Sequence, residues 1–293
     1  MPPHYDLHSH STASDGTLSP TELVARAHAR GVHVLALTDH DSTEGLAEAR
    51  VAAGKIGLEL VPGVEISVSW NGQTVHIIGL QIDPANQALQ DGLAGLRTFR
   101  DWRAQEIARR LEKHGIADTY DGAKGYAKGA IVSRTHFARL LVERGHARDL
   151  QQVFKRFLVH GKPGYVSGEW ATLADAVSWI TGAGGQAVIA HPARYKLTAT
   201  RLRALFTEFK DAGGAGIEVI SGSHSRDDYF TLANYAIQFG LRASSGSDYH
   251  GPEHPWIELG RLPELPKTCI PIWAEWSFPC SDYTSTPPIP RRA

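Results

Sequence analysis

The sequence predicts an α/β fold of repeated βα units around a parallel sheet. Three observations carry that reading. Short β-rich runs alternate with helical stretches, most of the runs deliver a histidine or carboxylate where they end, and 293 residues with 42% hydrophobic content can bury a full core. In barrels of this kind chemistry sits where strands end and βα loops begin, so residues far apart in sequence converge.

The first run, Tyr5-Asp6-Leu7, leads into His8-Ser9-His10. Strand residues two apart share a face, so His8 and His10 can grip one metal ion while Asp15 reaches in from the following loop. Ser19-Pro20-Thr21-Glu22 is a capping box with proline at the first helical position, followed by an apolar stripe of Leu23, Val24 and Ala27 that ends before Gly31. Val34-Leu35-Ala36-Leu37 then delivers Thr38-Asp39-His40-Asp41, and Leu60-Val61-Pro62-Gly63-Val64 delivers Glu65. Asp39 or Asp41 can orient the His40 imidazole from behind, and Asp39 is the preferred one. Val75-His76-Ile77-Ile78-Gly79-Leu80 is the next run; alone, His76 reads more readily as a hydrogen-bonded core histidine than as a ligand.

Residues 97–162 interrupt the strand series with helical sequence carrying 15 Lys and Arg against 7 Asp and Glu, which concentrates positive charge in a chain of net charge −1. This segment reads as an inserted helical lid, with residues 1–96 and 163–266 forming the barrel. The series resumes with Ala187-Val188-Ile189-Ala190 before His191-Pro192, Gly216-Ile217-Glu218-Val219-Ile220 before Ser221-Gly222-Ser223-His224, and Ala243-Ser244-Ser245-Gly246-Ser247 before Asp248-Tyr249-His250. Residues 267–293 form a tail rich in Pro, Ser and Thr, and Ser285 to Arg292 reads as a disordered end.

Composition narrows the function classes. A net charge of −1 argues against a protein that coats nucleic acid non-specifically. Cys269 and Cys280 alone support neither a disulfide scaffold nor a thiolate zinc site, and histidine-rich metal chemistry with reduced thiols suits a cytoplasmic location. No signal peptide and no apolar run of about 18 residues is visible, so no membrane association is expected. Nothing in the pattern marks a stable protein partner.

Taken together, His8-Ser9-His10, Asp15-Gly16, Thr38-Asp39-His40-Asp41, Gly63-Val64-Glu65, His76, His191-Pro192 and Ser247-Asp248-Tyr249-His250 resemble the PHP family, named for polymerase and histidinol phosphatase domains. The resemblance spans nearly all of residues 4–260 and implies a distorted (β/α)7 barrel with a trinuclear metal site. It implies one ion on His8, His10, Glu65 and Asp248, a second on Glu65, His76 and His191, and a third on Asp15, His40 and His250, with Glu65 as the bridging catalytic carboxylate. Imidazole and carboxylate donors without thiolate suit two to three divalent ions, Mn²⁺ first, with Fe²⁺ or Zn²⁺ as alternatives. Ions about 3.5–4 Å apart can clamp a phosphoryl oxygen and acidify a shared water, so no protein nucleophile is required.

Ser133-Arg134-Thr135-His136, Gly161-Lys162-Pro163-Gly164-Tyr165 and Ser221-Gly222-Ser223-His224 bring the resemblance closest to phosphoesterases acting on nucleoside 3′,5′-bisphosphates, some of which trim RNA from its 5′ end. The expected reaction is removal of the 3′-phosphate from a small nucleotide. A 5′-to-3′ exoribonuclease on short RNA is the runner-up, and a histidinol-phosphate phosphatase or a non-catalytic module is less favoured. Arg134, Lys162 and Arg194 are the candidate substrate-binding cations, the first at a helix N-terminus behind the N-cap Ser133, where free N–H groups would meet a phosphate. His224 is the candidate acid for the departing alkoxide. His136 and His160 remain further candidates, and Tyr126 and Tyr165 are candidate surfaces for a base.

Overall fold

The computed structural model describes residues 3–253 and 255–277. Seven strands lie in the order of the chain: β1 (Tyr5–Asp6), β2 (Val34–Leu37), β3 (Glu59–Trp70), β4 (Gln73–Leu80), β5 (Gln186–Ile189), β6 (Gly216–Ser221) and β7 (Arg242–Gly246). The last strand returns to the first, with Leu7 N–H donating to Ser245 O at 2.9 Å and Asp248 N–H to His8 O at 2.9 Å, so the sheet closes as a (β/α)7 barrel. Gly246 permits this closure, because a Cβ there would lie 2.3 Å from that of His8.

The barrel is not wholly parallel, which corrects the sequence expectation. β4 runs antiparallel to both β3 and β5, whereas the other neighbours pair in parallel. The cause is local: Asn71 and Gly72, both at positive φ, make a two-residue turn that folds β3 and β4 into a hairpin where a helix would otherwise intervene. His76 therefore lies within β4 rather than at the end of a strand. Because β4 is reversed, its first residues still reach the barrel mouth, and His76 faces Ser67 across the hairpin.

Helices α1 (Pro20–Ala29) and α2 (Leu46–Ile56) cover β2 and β3, and α7 (Leu173–Gly182), α8 (Ala199–Asp211) and α9 (Arg226–Phe239) cover the other side. Alternation on β2 divides its side chains as the pleat requires. Leu35 and Leu37 pack under α1 and α2 with Leu23, Val24 and Ala49, while Val34 and Ala36 join Leu7, Val61, Ile78 and Val188. The α1 capping box is present, with Ser19 Oγ accepting from Glu22 N–H and the Glu22 carboxylate accepting from Ser19 N–H.

Between β4 and β5 stand α3 (Gln87–Glu112), α4 (Thr119–Tyr126), α5 (Arg134–Glu143) and α6 (Leu150–Val153), the last continuing into a π-helical turn, Phe154–Leu158. The 26-residue α3 belongs to both layers. Leu89, Leu93 and Leu96 pack on the barrel, whereas Ala104, Ile107 and Leu111 enter a separate core with Phe137, Leu141, Val153 and Leu158. This second core draws on residues from Ala104 to Val166.

The first part of the tail, as far as it is described, packs on the barrel. Trp273 stacks on Tyr5 with centroids 4.2 Å apart, Ile272 is buried, and Pro271 bridges to Ala243, so this segment covers the N-terminal end of the barrel. The stretch from Ser285 to Arg292 lies outside the described residues. Among the described residues no helix is long and apolar enough to cross a membrane.

The lid carries a pH-sensitive cap. His136 is the third residue of α5, and its Nδ1 accepts from Ser133 N–H at 3.0 Å, a bond that requires the neutral ring. Burial pushes its pKa down to about 4 from 6.5. Its stabilising contribution is complete above pH 6.5 and is lost as pH falls toward 4. Between pH 7 and 5 the loss is expected to be about 2 kcal/mol. Denaturant titrations at both pH values should show a smaller pH difference for His136→Gln, which keeps an acceptor without a titrating group; an unchanged difference would remove His136 as the source.

Candidate metal centre

Loop geometry delivers the donors. His10 follows β1, and the chain then turns so that Gly16 N–H donates to Ser11 O at 2.9 Å. A Cβ on Gly16 would sit 2.3 Å from His10 O, so only glycine lets the loop close and present Asp15. Asp39 fastens this loop. Its carboxylate accepts from Ser11 N–H (2.8 Å), Ser11 Oγ (2.6 Å) and Ser14 Oγ (2.6 Å), so it holds the loop that carries Asp15 instead of orienting His40. Asp41 accepts from Ser67 N–H (2.8 Å) and from Arg100 Nε (2.6 Å), which fixes a lid guanidinium against the barrel. Asp41, His191 and Asp248 have φ of 46°, 30° and 57°, a sparsely populated region for residues with a Cβ. Strain of this kind gathers where surrounding structure dictates the direction of a side chain.

Glu65 is fully buried at the centre. Its Oε1 lies 2.9 Å from His76 Nδ1, 3.1 Å from His191 Nε2 and 3.4 Å from His8 Nε2, and its Oε2 lies 2.8 Å from His40 Nδ1 and 3.4 Å from His10 Nε2. Asp248 Oδ1 lies 3.4 Å from His8 Nε2 and 3.3 Å from His10 Nε2, while Asp15 Oδ1 lies 3.3 Å from His250 Nε2 and 4.0 Å from His40 Nε2. All nine sequence-predicted ligands meet here. Four overlapping groups could each hold an ion: His8, His10 and Asp248; His8, Glu65 and His191; His40, Glu65 and His76; and His10, Asp15, His40 and His250.

The electrostatics suit cations. Burial would raise the carboxyls of Glu65, Asp15 and Asp248, yet the surrounding imidazoles hold all three well below the usual carboxylate range. Burial pushes His10 down to about 3, helped by His250 and His40, and pushes His191 to about 3, helped by Arg194. His250 goes the other way, to about 9, because Asp15 and Asp248 outweigh burial. Among the described residues Asp15 Oδ1, Glu65 Oε2 and His40 Nδ1 are buried at the cluster without an aligned hydrogen bond, although the last two lie only 2.8 Å apart. Unsatisfied buried acceptors are costly, and divalent ions bound among them would satisfy the carboxylates and imidazoles together.

Two layers of support escaped the sequence reading. Glu218, fully buried in β6, places Oε1 2.9 Å from His8 Nδ1 and accepts from His191 N–H through Oε2 at 2.5 Å. It fixes the ring of one candidate ligand and the backbone of another; a carboxylate in the middle of Ile217-Glu218-Val219 is the signal that could have flagged it. Arg100 and Arg103 of α3 line the cavity above the cluster together with Arg134, Arg194, Phe154 and Trp170, and that cavity measures about 150 Å³. Arg100 is locked to Asp41, and Arg103 donates to Val166 O at 3.1 and 3.2 Å.

The predicted substrate-binding residues divide. Arg134 lines the cavity and makes no hydrogen bond among the described residues. The N-terminus of α5 itself is already taken: Ser133 Oγ accepts from Thr135 N–H, and the hydroxyls of Ser133 and Thr135 donate to Asp15 Oδ2 at 3.1 and 2.9 Å. Arg194 also lines the cavity and holds Asp248 Oδ2 at 2.6 Å. Lys162 is exposed and does not line the cavity. His224 is buried outside it, with Nδ1 3.2 Å from Val219 O, so the structure does not bring this ring to the reacting groups. Tyr126 bonds Glu143, and His160 is exposed with its ring edge-on to Tyr165.

Glu218→Gln should lower metal affinity about 10–100-fold, because an amide cannot accept from both His8 Nδ1 and His191 N–H. Competition against a chelator measures this directly; an affinity equal to that of the unaltered chain would show that His8 and His191 hold their places without Glu218.

Comparison with known proteins agrees with this arrangement. The PHP domain model matches residues 6–166. A 3′,5′-nucleoside bisphosphate phosphatase of Chromobacterium violaceum is 53% identical over 271 residues, covering 92% of this chain and 95% of the relative. A 5′-3′ exoribonuclease of Haemophilus influenzae is 47% identical over 276 residues, covering 94% of this chain and all of the relative. The solved structure of a Chromobacterium violaceum amidohydrolase with bound sulfate and no metal superposes with a TM-score of 0.90 at 52% identity, covering 93% of this chain and 95% of the other. With its donors at the barrel mouth and its sequence aligned along nearly the full length of these relatives, the chain belongs to the PHP family.

Proposed function

We propose that this protein is a phosphomonoesterase that removes the 3′-phosphate of a nucleoside 3′,5′-bisphosphate, such as 3′-phosphoadenosine 5′-phosphate, releasing a 5′-nucleotide and inorganic phosphate. The observation that carries this reading is one small cavity lined by seven of the nine candidate donors, Asp15, His40, Glu65, His76, His191, Asp248 and His250, together with four arginines. A substrate with one reacting and one non-reacting phosphate needs both sets of groups. The name of the Chromobacterium violaceum relative supports the same substrate class.

The proposed resident group is two to three divalent ions, Mn²⁺ ahead of Fe²⁺ or Zn²⁺, held by His8, His10, Asp15, His40, Glu65, His76, His191, Asp248 and His250, which would supply charge neutralisation at the phosphoryl group and acidify water. The protein's own residues do the rest. Glu65 spans the cluster with both oxygens, the imidazoles of His8 and His250 favour the ionised form of Asp248, and Arg194 holds its outer oxygen, Oδ2, at 2.6 Å. Arg134 offers an unengaged guanidinium to the phosphate that does not react, a contact suited to bidentate binding.

A second reading, a 5′-to-3′ exoribonuclease on short 5′-phosphorylated RNA, is favoured by the Haemophilus influenzae relative's name. Both substrates place a 5′-phosphate on one side and a scissile bond on the 3′ side. Small nucleotides, with short RNA second, are the proposed partners, and the cytoplasm is the proposed location.

Glu65→Gln should lose at least one equivalent of bound metal and nearly all activity, since both oxygens serve the cluster; metal content by mass spectrometry checks it, and full activity in thoroughly chelated protein would overturn the metal assignment. Turnover of nucleoside bisphosphate, 5′-phosphorylated dinucleotide and histidinol phosphate with added Mn²⁺ should fall steeply in that order. In the same panel Arg134→Ala should reduce kcat/KM for the bisphosphate far more than for a generic aryl phosphate, because remote binding energy is lost only with the former. Equal turnover of the dinucleotide would promote the ribonuclease reading.

A further inference from the structure

The cavity has a wall whose chemistry phosphate binding does not require. Among its lining residues, Phe154 and Trp170 alone carry apolar rings. Trp170 is already engaged. Arg100 and Arg103 lie over it at 5.1 and 5.3 Å, Phe99 meets it edge-on at 4.9 Å, and its Nε1 donates to Thr74 Oγ1 at 3.2 Å. Its visible work is to order the two guanidiniums.

Phe154 is different. It opens the π-helical turn that ends α6, where Val159 N–H donates to Phe154 O at 3.1 Å across five residues. The widened turn carries Phe154 where the ring is half-buried, packing against the lid core with Phe137 and Leu158 while also lining the cavity. Single π turns of this kind occur often at functional sites. Among the described residues the one guanidinium above the ring is that of Arg134, 5.8 Å from the centroid, the same group that has no hydrogen-bond acceptor there. An aromatic surface in a charged cavity, next to an unengaged arginine, is the pairing that a nucleotide presents: an anion joined through a sugar to a flat ring.

We propose that Phe154 is the residue that distinguishes nucleotides from other phosphate esters, stacking on the base while Arg134 holds the 5′-phosphate. The inference rests on the nucleotide reading above. Stacking on one aromatic ring contributes on the order of tenfold to hundredfold in affinity per base and is tolerant of base identity.

The test compares a ligand with a base to one without. Binding of adenosine 5′-monophosphate and of ribose 5-phosphate is measured by calorimetry on the full chain without added metal, for the unaltered protein and for Phe154→Ala, Phe154→Leu and Phe154→Tyr. The unaltered protein is expected to prefer the nucleotide by about tenfold or more. Phe154→Ala and Phe154→Leu should abolish that preference while leaving ribose 5-phosphate affinity within about twofold, and Phe154→Tyr should keep it. Leucine maintains apolar packing against the lid core, so it still reads the effect if the alanine variant fails to fold. Equal weakening of both ligands would assign Phe154 to packing alone, and an unaltered protein that binds both equally would also overturn the proposal. Bisphosphate hydrolysis is assayed separately: its absence alongside a Phe154-dependent preference would strike the proposed reaction and leave base recognition standing.

Discussion

Everything at the mouth of this barrel answers to one buried carboxylate. Glu65 sits in β3 with no exposure to solvent, and a charge in that position is tolerable only when opposite charge surrounds it. Five imidazoles drawn from the segment after β1, the β2 loop, β4 and the β5 loop converge on its two oxygens. Asp248 and Asp15 add further negative charge, which the imidazoles alone cannot fully satisfy. The surplus of buried acceptors makes the site a receptor for cations, and the barrel's closure holds that surplus in place.

The support behind the donors explains how so many polar groups share a small volume. Glu218 fixes His8 and His191, Asp39 ties down the Asp15 loop, and Asp41 anchors Arg100. These three carboxylates have different tasks even though each stands at or within a strand, so residue type alone does not announce a ligand. Asp15 joins the barrel to the lid by accepting hydroxyls from Ser133 and Thr135 through one oxygen while the other faces the cluster. Lid position and donor geometry are thereby coupled through a single side chain.

Much of this was legible from sequence because strand ends repeat. An H-x-H pair, Glu65 after an apolar run and Asp248-Tyr249-His250 after another are visible without coordinates, and all nine candidate ligands come together. What escaped notice depended on direction and on distance. The reversal of β4 hung on Asn71-Gly72, a hairpin signal overlooked beside a prominent βα rhythm. Arg100 and Arg103 sit on an ordinary-looking helix, and only tertiary packing turns them inward. His224 and Lys162 looked functional by their neighbours in sequence, but one turns into its own loop and the other into solvent. The segment around Trp273 read as tail by composition, yet its aromatic and aliphatic side chains fill the barrel base.

The closure of β7 onto β1 has a consequence for how the molecule comes into being on the ribosome. β1 has two residues, and its hydrogen-bonded neighbours include Val34 on one side and residues around Ser245 on the other. His8 and His10 precede Asp248 and His250 by more than two hundred residues and are synthesised well before them. A nascent chain therefore exposes the opening pair of donors long before their partners exist. Two of the four candidate groups, those containing Asp248 and His250, are therefore completed only when the last strand threads home, whereas the two built on Glu65 with His8 and His191 or with His40 and His76 draw on residues made earlier.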